Sequence, residues 1–414
     1  MKKQSEIHLP ELDGVRGLAC IGVLLAHCLI GIAKWQPGTY GAIGDAWLTA
    51  RGVMLPHLLG GVDLFFVLSG FLIGGILIDN RDAPSYLNVM KVFWVRRATR
   101  ILPVAWALVL SYAVALWIRA NFDLPAWDLW LLATPHSPLW SYALFIQNFF
   151  IALNGVEQPR WIAITWSLAI EEQFYLVFPF VVYFLRHRPL ALFAVIGILV
   201  AIVLRQPLER YFGNWYGPYI MLVTRMDALL LGVLVTLIVR SPRFLAVARR
   251  WRYLLDASML LAGYLIAVRH PALSWWPLHD GLGRVTDGPF PPLKHTVLAW
   301  MYAVFILRIF LYERSSVSAL LRNRALGWFG MISYGLYMYH QAVNGVLHAY
   351  FFEDEPRIVS IAQLGLSVAV MATAIGLAFL SYRYFETPIR NLGRRARYDQ
   401  PGETRKAPAM APAE

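Results

Sequence analysis

Charge and cysteine are both scarce in this chain. Only 15% of its 414 residues are charged, and cysteine occurs twice. A water-soluble protein carries about 25% charged residues, so the shortage excludes an ordinary soluble domain. Cys20 and Cys28 fall in one apolar stretch. On a helix they stand about 12 Å apart along the axis, too far to bridge each other, and they read as packing residues. Zinc-ligand spacing, a P-loop and a GxGxxG run are all missing, which removes the usual metal, nucleotide-hydrolysing and dinucleotide readings. The opening MKKQSEIHLPELDG does not show the ordered parts of a cleaved leader, so the first apolar stretch is expected to stay in the mature protein. No internal repeat is visible.

Apolar length is what the chain has instead. Hydrophobic residues make up 58% of it and the mean hydropathy is +0.52. Ten segments are long enough to cross a bilayer, at about 15–34, 58–78, 101–118, 166–185, 190–205, 218–239, 252–268, 293–312, 328–351 and 361–382. The apolar piece 139–153 is too short and is expected to be re-entrant or interfacial. With a cytoplasmic N-terminus, 25 of the 37 Lys and Arg residues fall on the cytoplasmic side, as the positive-inside bias requires. An eleventh span would invert the later loops and spoil that pattern. The expected fold is therefore an all-α polytopic membrane protein with about ten transmembrane helices and both termini cytoplasmic. Residues 1–390 form the transmembrane domain, and 391–414 a basic, then Pro/Ala-rich, disordered tail. The net charge of +12 follows from this bias and needs no nucleic-acid partner. Trp127, Trp130, Trp161, Trp275 and Trp276 fall in outer loops, where aromatics form interfacial belts. A sugar-stacking role for them is the alternative.

The stretch LDGVRGLACIGVLLAHCLIGIA (12–33) places two ionisable side chains inside an apolar span. Arg16 and His27 are eleven positions apart, which is about 16 Å and three turns plus a small rotation. Both side chains thus share a helix face, Arg16 near one membrane surface and His27 near mid-depth. Ionisable groups at such depth cost about 2.5–3.5 kcal/mol each on insertion scales and mark functional sites. Arg16 sits at the positive end of the helix dipole, so an anionic partner is expected, a carboxylate or a ligand phosphate. Snorkelling to lipid headgroups is its plainer reading. Asp13 is expected at the helix start, as its N-cap, as part of the site, or as both. His27 lies too deep to snorkel and suits a general base; a hydrogen bond to a neighbouring helix is the alternative.

These residues resemble the opening motif of the integral-membrane acyltransferase-3 family, whose hallmark is an Arg and a His with ten residues between them. Further blocks resemble the family in the family's order: GVDLFFVLSGFLI (61–73), FWVRRATRILP (93–103), WSLAIEEQFYLVFP (166–179), RMDALLLG (225–232), SYGLYMYH (333–340) and YRYFETP (382–388). The resemblance covers about residues 9–390 and is of the stand-alone type, without an SGNH hydrolase domain. It implies transfer of an acyl group, most often acetyl, from acyl-CoA to a hydroxyl of a glycan, lipopolysaccharide, exopolysaccharide or related acceptor. It also implies a multi-pass protein of the bacterial cytoplasmic (inner) membrane. Acyl-CoA, the acceptor and the lipid bilayer are the expected partners. No metal is expected.

The remaining site candidates follow. Arg97 and Arg100 are spaced i, i+3 and share a helix face. The resemblance implies a part in activity, and forked guanidiniums suit the phosphates of an acyl-CoA. Arg96 points elsewhere. Of the adjacent Glu171 and Glu172 at most one faces inward, and the resemblance favours Glu171, which positions an acceptor hydroxyl or pairs with an arginine such as Arg225. Asp63 lies near the outer end of the second span. Ser69 is either a donor to a developing oxyanion or a helix-packing residue. Arg225 and Asp227 are two apart and are expected to pair with other helices. His340 matches the depth of His27 and is either a second site histidine or part of a tyrosine network with Tyr334, Tyr337 and Tyr339. Glu386 is expected to bind an arginine near Arg97 and Arg100. Two other classes fit some of these residues: a transporter of a glycan precursor or organic anion, and a bis-histidine haem protein using His27 and His340.

Overall fold

In a computed structural model the described residues are 9–30, 54–55, 57–122, 136–155, 159–268, 293–312 and 314–398. Among them the chain is helical throughout. Ten long helices follow one another: α1 Pro10–Leu25, α2 Gly61–Asp79, α3 Tyr86–Asn121, α4 Thr165–Phe184, α5 His187–Phe212, α6 Leu222–Arg240, α7 Arg252–Val268, α8 Lys294–Leu311, α9 Arg324–Phe352 and α10 Ile361–Ser381. Each matches one expected span, and eight helices among the described residues are long and apolar enough to cross a membrane by themselves. The other two, α7 and α9, are the 17-residue helix and the one that carries SYGLYMYH. The protein is an all-α, multi-pass membrane protein.

Helix starts follow local chemistry. Pro10 opens α1, with Glu11 and Asp13 in its first turn, where a fixed φ and negative charge both help. The N-cap is Leu9, so Asp13 lies one turn inside the helix and is not its cap. Ser85 caps α3, accepting a hydrogen bond from the Asn88 amide at 3.3 Å. At 36 residues α3 is about 54 Å long, well beyond a hydrocarbon core of about 30 Å. The turns that bear Arg96, Arg97 and Arg100 therefore need not lie in lipid.

Two glycine-lined parallel pairs organise the bundle. Helices α1 and α9 run side by side in a constant register: Cys20 Sγ donates to the Ser333 carbonyl at 3.5 Å, and Asn344 Nδ2 donates to the His27 carbonyl at 3.2 Å. The close approach requires glycine, since a Cβ on Gly17 would stand 2.1 Å from the Leu326 carbonyl oxygen and one on Gly330 2.1 Å from that of Asp13. Small residues at such crossings let backbones touch. Helices α2 and α6 pair likewise, with Gly70 against the Leu229 carbonyl and Gly232 against that of Val67. Helix α2 sits at the centre, with 78% of its apolar window buried, whereas α5 and α10 bury 22% of theirs and present the rest outward.

The segment 139–153 does not cross. It forms two short helices, Leu139–Ala143 and Gln147–Asn154, joined through Phe145 at a φ of 56°. Gln147 and Asn148 anchor it by donating to the Thr165 and Ile220 carbonyls at 2.9 and 3.1 Å. At the other end of the chain, residues 391–398 do not behave as a tail. Thr387–Gly393 is helical, the Ala396 carbonyl accepts two hydrogen bonds from Arg96 at 3.1 and 3.0 Å, and the Arg96 guanidinium lies over the Tyr398 ring at 4.6 Å. The remainder of the expected tail, and Trp127, Trp130, Trp275 and Trp276, lie outside the described residues.

Candidate active site

The site candidates separate into three groups. The first lines one cavity between α1, α2, α3, α4 and α9. Arg16 from α1 and Arg97 and Arg100 from α3 reach its wall together. Arg16 also holds Asp13 at 2.7 Å, so the expected anionic partner of this arginine is a carboxylate one turn away. Arg97 lies against the rings of Phe93 and Tyr175, at 5.7 and 5.8 Å. Arg96 faces away from the cavity, toward the C-terminal segment. Glu386 accepts from Ser381 at 3.1 Å and stands near Arg100 and Arg390.

Helix α4 supplies the polar side of the same cavity. Ser167, Glu171 and Tyr175 follow at four-residue spacing and all line it, because residues four apart share a helix face. Glu172 is turned away, its buried Oε1 without a hydrogen-bond partner among the described residues. Ser69 of α2 meets the Tyr175 hydroxyl at 2.5 Å, and the Glu171 carboxylate lies beside both. Glu171 therefore does not pair with Arg225. Tyr175 was not singled out from the sequence, although its i+4 relation to Glu171 was readable. The opposite wall is apolar, with Phe65, Phe66, Leu72, Ile73, Ile101 and Met338 among its residues.

The second group is the histidine pair. His27 Nδ1 and His340 Nε2 are 3.0 Å apart, and the rings stack with centroids 5.1 Å apart. His27 lies in a π-helical turn, Ala26–Ile30, a widened turn common at functional sites. Neither ring lines the cavity. Tyr337 belongs to both places: it lines the cavity, and its ring centre is 5.8 Å from that of His340. Its hydroxyl is held by Ser167 Oγ at 2.7 Å. The two imidazoles are bonded to each other and do not face across a gap, as a bis-histidine iron site requires. Among the described residues no cluster of three or more His, Cys, Asp or Glu is gathered for a metal.

The third group is a buried ion-pair network. Arg225 Nη2 donates to Asp63 at 2.7 Å, with the rings of Tyr219, Phe66 and Trp166 around the guanidinium at 5.4, 5.7 and 6.0 Å. Asp227 takes Arg205 of α5 and Thr296 of α8, each at 2.5 Å. Arg225 and Asp227 thus pair with different helices, as their spacing implies. Neither Asp63 nor Arg225 lines the cavity. Arg205 was not legible as a partner, since nothing in a sequence sets the register of α5 against α6.

One cavity of this polytopic bundle thus gathers three arginines, a glutamate and several Ser and Tyr hydroxyls, close to a histidine pair. The family described as acyltransferase domain matches residues 9–383, and the chain belongs to that family. It is similar to O-acetyltransferase OatA of Staphylococcus aureus (strain NCTC 8325 / PS 47), with 28% identity over 406 residues, which is 95% of this chain and 59% of that protein. A Staphylococcus aureus (strain COL) protein named "Putative O-acetyltransferase SACOL0978" is 27% identical over 405 residues, 94% of this chain and 58% of that protein. The chain therefore spans just under three fifths of the length of these relatives. No solved structure matches it.

Proposed function

We propose that this protein is a membrane O-acyltransferase that moves an acyl group, acetyl by the relatives' names, from acyl-CoA to a hydroxyl of an envelope glycan or related acceptor at the bacterial cytoplasmic membrane. The observation that carries the reading is the convergence of Arg16, Arg97 and Arg100 on one cavity. Asp13 holds Arg16, while Glu171 stands near Arg97 and Arg100, and Glu386 near Arg100, without a salt bridge among the described residues. Forked guanidiniums bind phosphates through paired, charge-assisted hydrogen bonds, and coenzyme A offers several phosphates at one end. The apolar wall then receives the pantetheine arm and the thioester.

The chemistry then falls to the histidine and to the polar groups of α2 and α4. His27 takes the proton of the acceptor hydroxyl as its oxygen bonds to the thioester carbonyl carbon. The tetrahedral intermediate collapses, the C–S bond breaks, and the departing thiolate takes the proton from the imidazolium. In this reading the hydroxyls of Ser69 and Tyr175 donate to a developing oxyanion, and Glu171 holds an acceptor hydroxyl. Tyr337 lines the cavity and its ring centre lies 5.8 Å from that of His340, so in this scheme the thioester approaches the histidine pair past that ring. In this reading the acyl group passes directly within a ternary complex.

The test uses the full chain in lipid nanodiscs, radiolabelled acetyl-CoA and the envelope-glycan fraction of the producing cells. Wild type should label the glycan, and His27→Ala should lose about 10²–10⁴-fold in rate while still folding and inserting. A fully active His27→Ala would remove the base from this scheme. Substrate flux through proteoliposomes without acyl-CoA would instead favour a transporter.

A further inference from the structure

The contacts around His340 constrain where the protons of both imidazoles sit. His340 Nδ1 lies 2.7 Å from the Tyr337 carbonyl oxygen and 3.2 Å from that of Leu336. A carbonyl oxygen only accepts, so His340 Nδ1 carries a hydrogen. In a neutral ring the other nitrogen, Nε2, is then an acceptor. That nitrogen faces His27 Nδ1 at 3.0 Å, and a hydrogen bond there requires His27 Nδ1 to be the donor. One nitrogen remains, His27 Nε2, and it bears a lone pair.

The surroundings hold this chain of donors in place. His340 is sealed at 1% exposure, whereas His27 keeps an accessible edge. Helix α9 also grips the backbone of His27, through the Asn344 side chain at 3.2 Å. Residues 340 and 344 are one turn apart on the same face, so a single helix face fixes both the ring and the main chain of His27. The π-helical turn at Ala26–Ile30 lies where these two contacts meet.

We propose that His340 is a positioning residue: it locks His27 in the Nδ1–H tautomer, so that Nε2 is the atom that takes the acceptor's proton. The proposal rests on the reading of His27 as general base. When the hydroxyl O–H bond breaks, its proton goes to Nε2, while the Nδ1 hydrogen stays bonded to His340 Nε2. When the C–S bond breaks, the proton on Nε2 passes to the thiolate, and both rings return to their starting tautomers. His340 thus does for His27 what a buried carboxylate does for the histidine of a serine triad, orienting it and fixing its tautomer, but with a neutral acceptor suited to an apolar span.

The test reads the tautomer directly. Full chain labelled with 15N-histidine is placed in nanodiscs, and the ring signals of His27 and His340 are assigned from His27→Gln and His340→Gln variants. Long-range proton–nitrogen correlations should show hydrogen on Nδ1 of both rings and none on Nε2. In His340→Leu the His27 signals should move to an Nε2–H or mixed population. Its rate of transfer from acetyl-CoA to the glycan fraction should fall at least about tenfold at unchanged KM for acetyl-CoA. His340→Gln, whose amide can donate to the Tyr337 carbonyl and accept from His27, should recover most of that rate. Wild-type His27 protonated on Nε2 would overturn the proposal, as would an unchanged tautomer in His340→Leu, or equal rates for the Leu and Gln variants. A fully active His27→Gln would overturn the base reading, and with it the role given to His340, while the wild-type spectrum would still report the hydrogen bond between the rings.

Discussion

At the scale of single residues, the buried charges divide into those that bind and those that brace. Arg225 and Asp63 are 1% and 6% exposed and pair at 2.7 Å, outside the cavity wall. Removing one partner of such a pair strands a buried charge and costs about 3–5 kcal/mol. Asp63→Leu should therefore melt well below wild type in a thermal unfolding assay, and the double variant Asp63→Leu/Arg225→Leu should recover part of the loss. Equal melting temperatures for wild type and Asp63→Leu would contradict a bracing role. The same scale shows what the sequence carried. Arg97, Arg100 and Glu171 were legible as one-sided, because spacing along a helix fixes which face a residue shares, and all three line the cavity. The partner of Arg225 was not legible, since Asp63 is 162 positions away and only packing sets that contact.

Packing belongs to the scale of elements, where glycines place α1 on α9. Gly330 touches the Asp13 backbone, and a Cβ there would meet its carbonyl oxygen at 2.1 Å, whereas a Cβ at Gly365 meets nothing within 4 Å. Gly330→Val should push the helices apart, break the His27–His340 contact and abolish acyl transfer, while Gly365→Ala should leave transfer near wild type. The comparison is made by the glycan-labelling assay on variants matched for membrane level. Retained activity in Gly330→Val would contradict the claim that close approach of these helices builds the site. Positions of the ten long helices were readable from apolar runs, yet their mutual register was not. It depends on where a glycine on one helix meets a carbonyl on another. The same limit explains why His340 was placed at the depth of His27 but not in contact with it. Asp13, read as a cap, a site residue or both, lies inside a helix that Pro10 already opens.

Across the whole molecule, topology ties the cavity to one side of the bilayer. Parallel packing of α1 on α9 and of α2 on α6 fits helices that are separated by an odd number of intervening spans. It agrees with the alternation deduced from the distribution of Lys and Arg. With the N-terminus in the cytoplasm, Arg16 lies in the cytoplasmic half of α1 and Arg97 and Arg100 in the cytoplasmic half of α3, the side from which the proposed acyl-CoA donor would come. Periplasmic reporter fusions after residue 215 should be active and those after residue 186 inactive. The reverse pattern would put the donor site on the wrong side. The C-terminal segment 391–398, which composition alone placed in a loose tail, instead packs on α3 through Arg96, because main-chain carbonyls take part in bonds that composition does not record.

The most direct measurement of the central claim is acetyl-CoA binding to the purified full chain in nanodiscs by titration calorimetry. The three-arginine cavity predicts saturable binding that weakens as salt rises and falls about 10–100-fold in Arg97→Ala and in Arg100→Ala, the loss expected for charge-assisted hydrogen bonds of about 1.5–3 kcal/mol. Affinity unchanged in both variants, or no saturable binding to wild type, would contradict it.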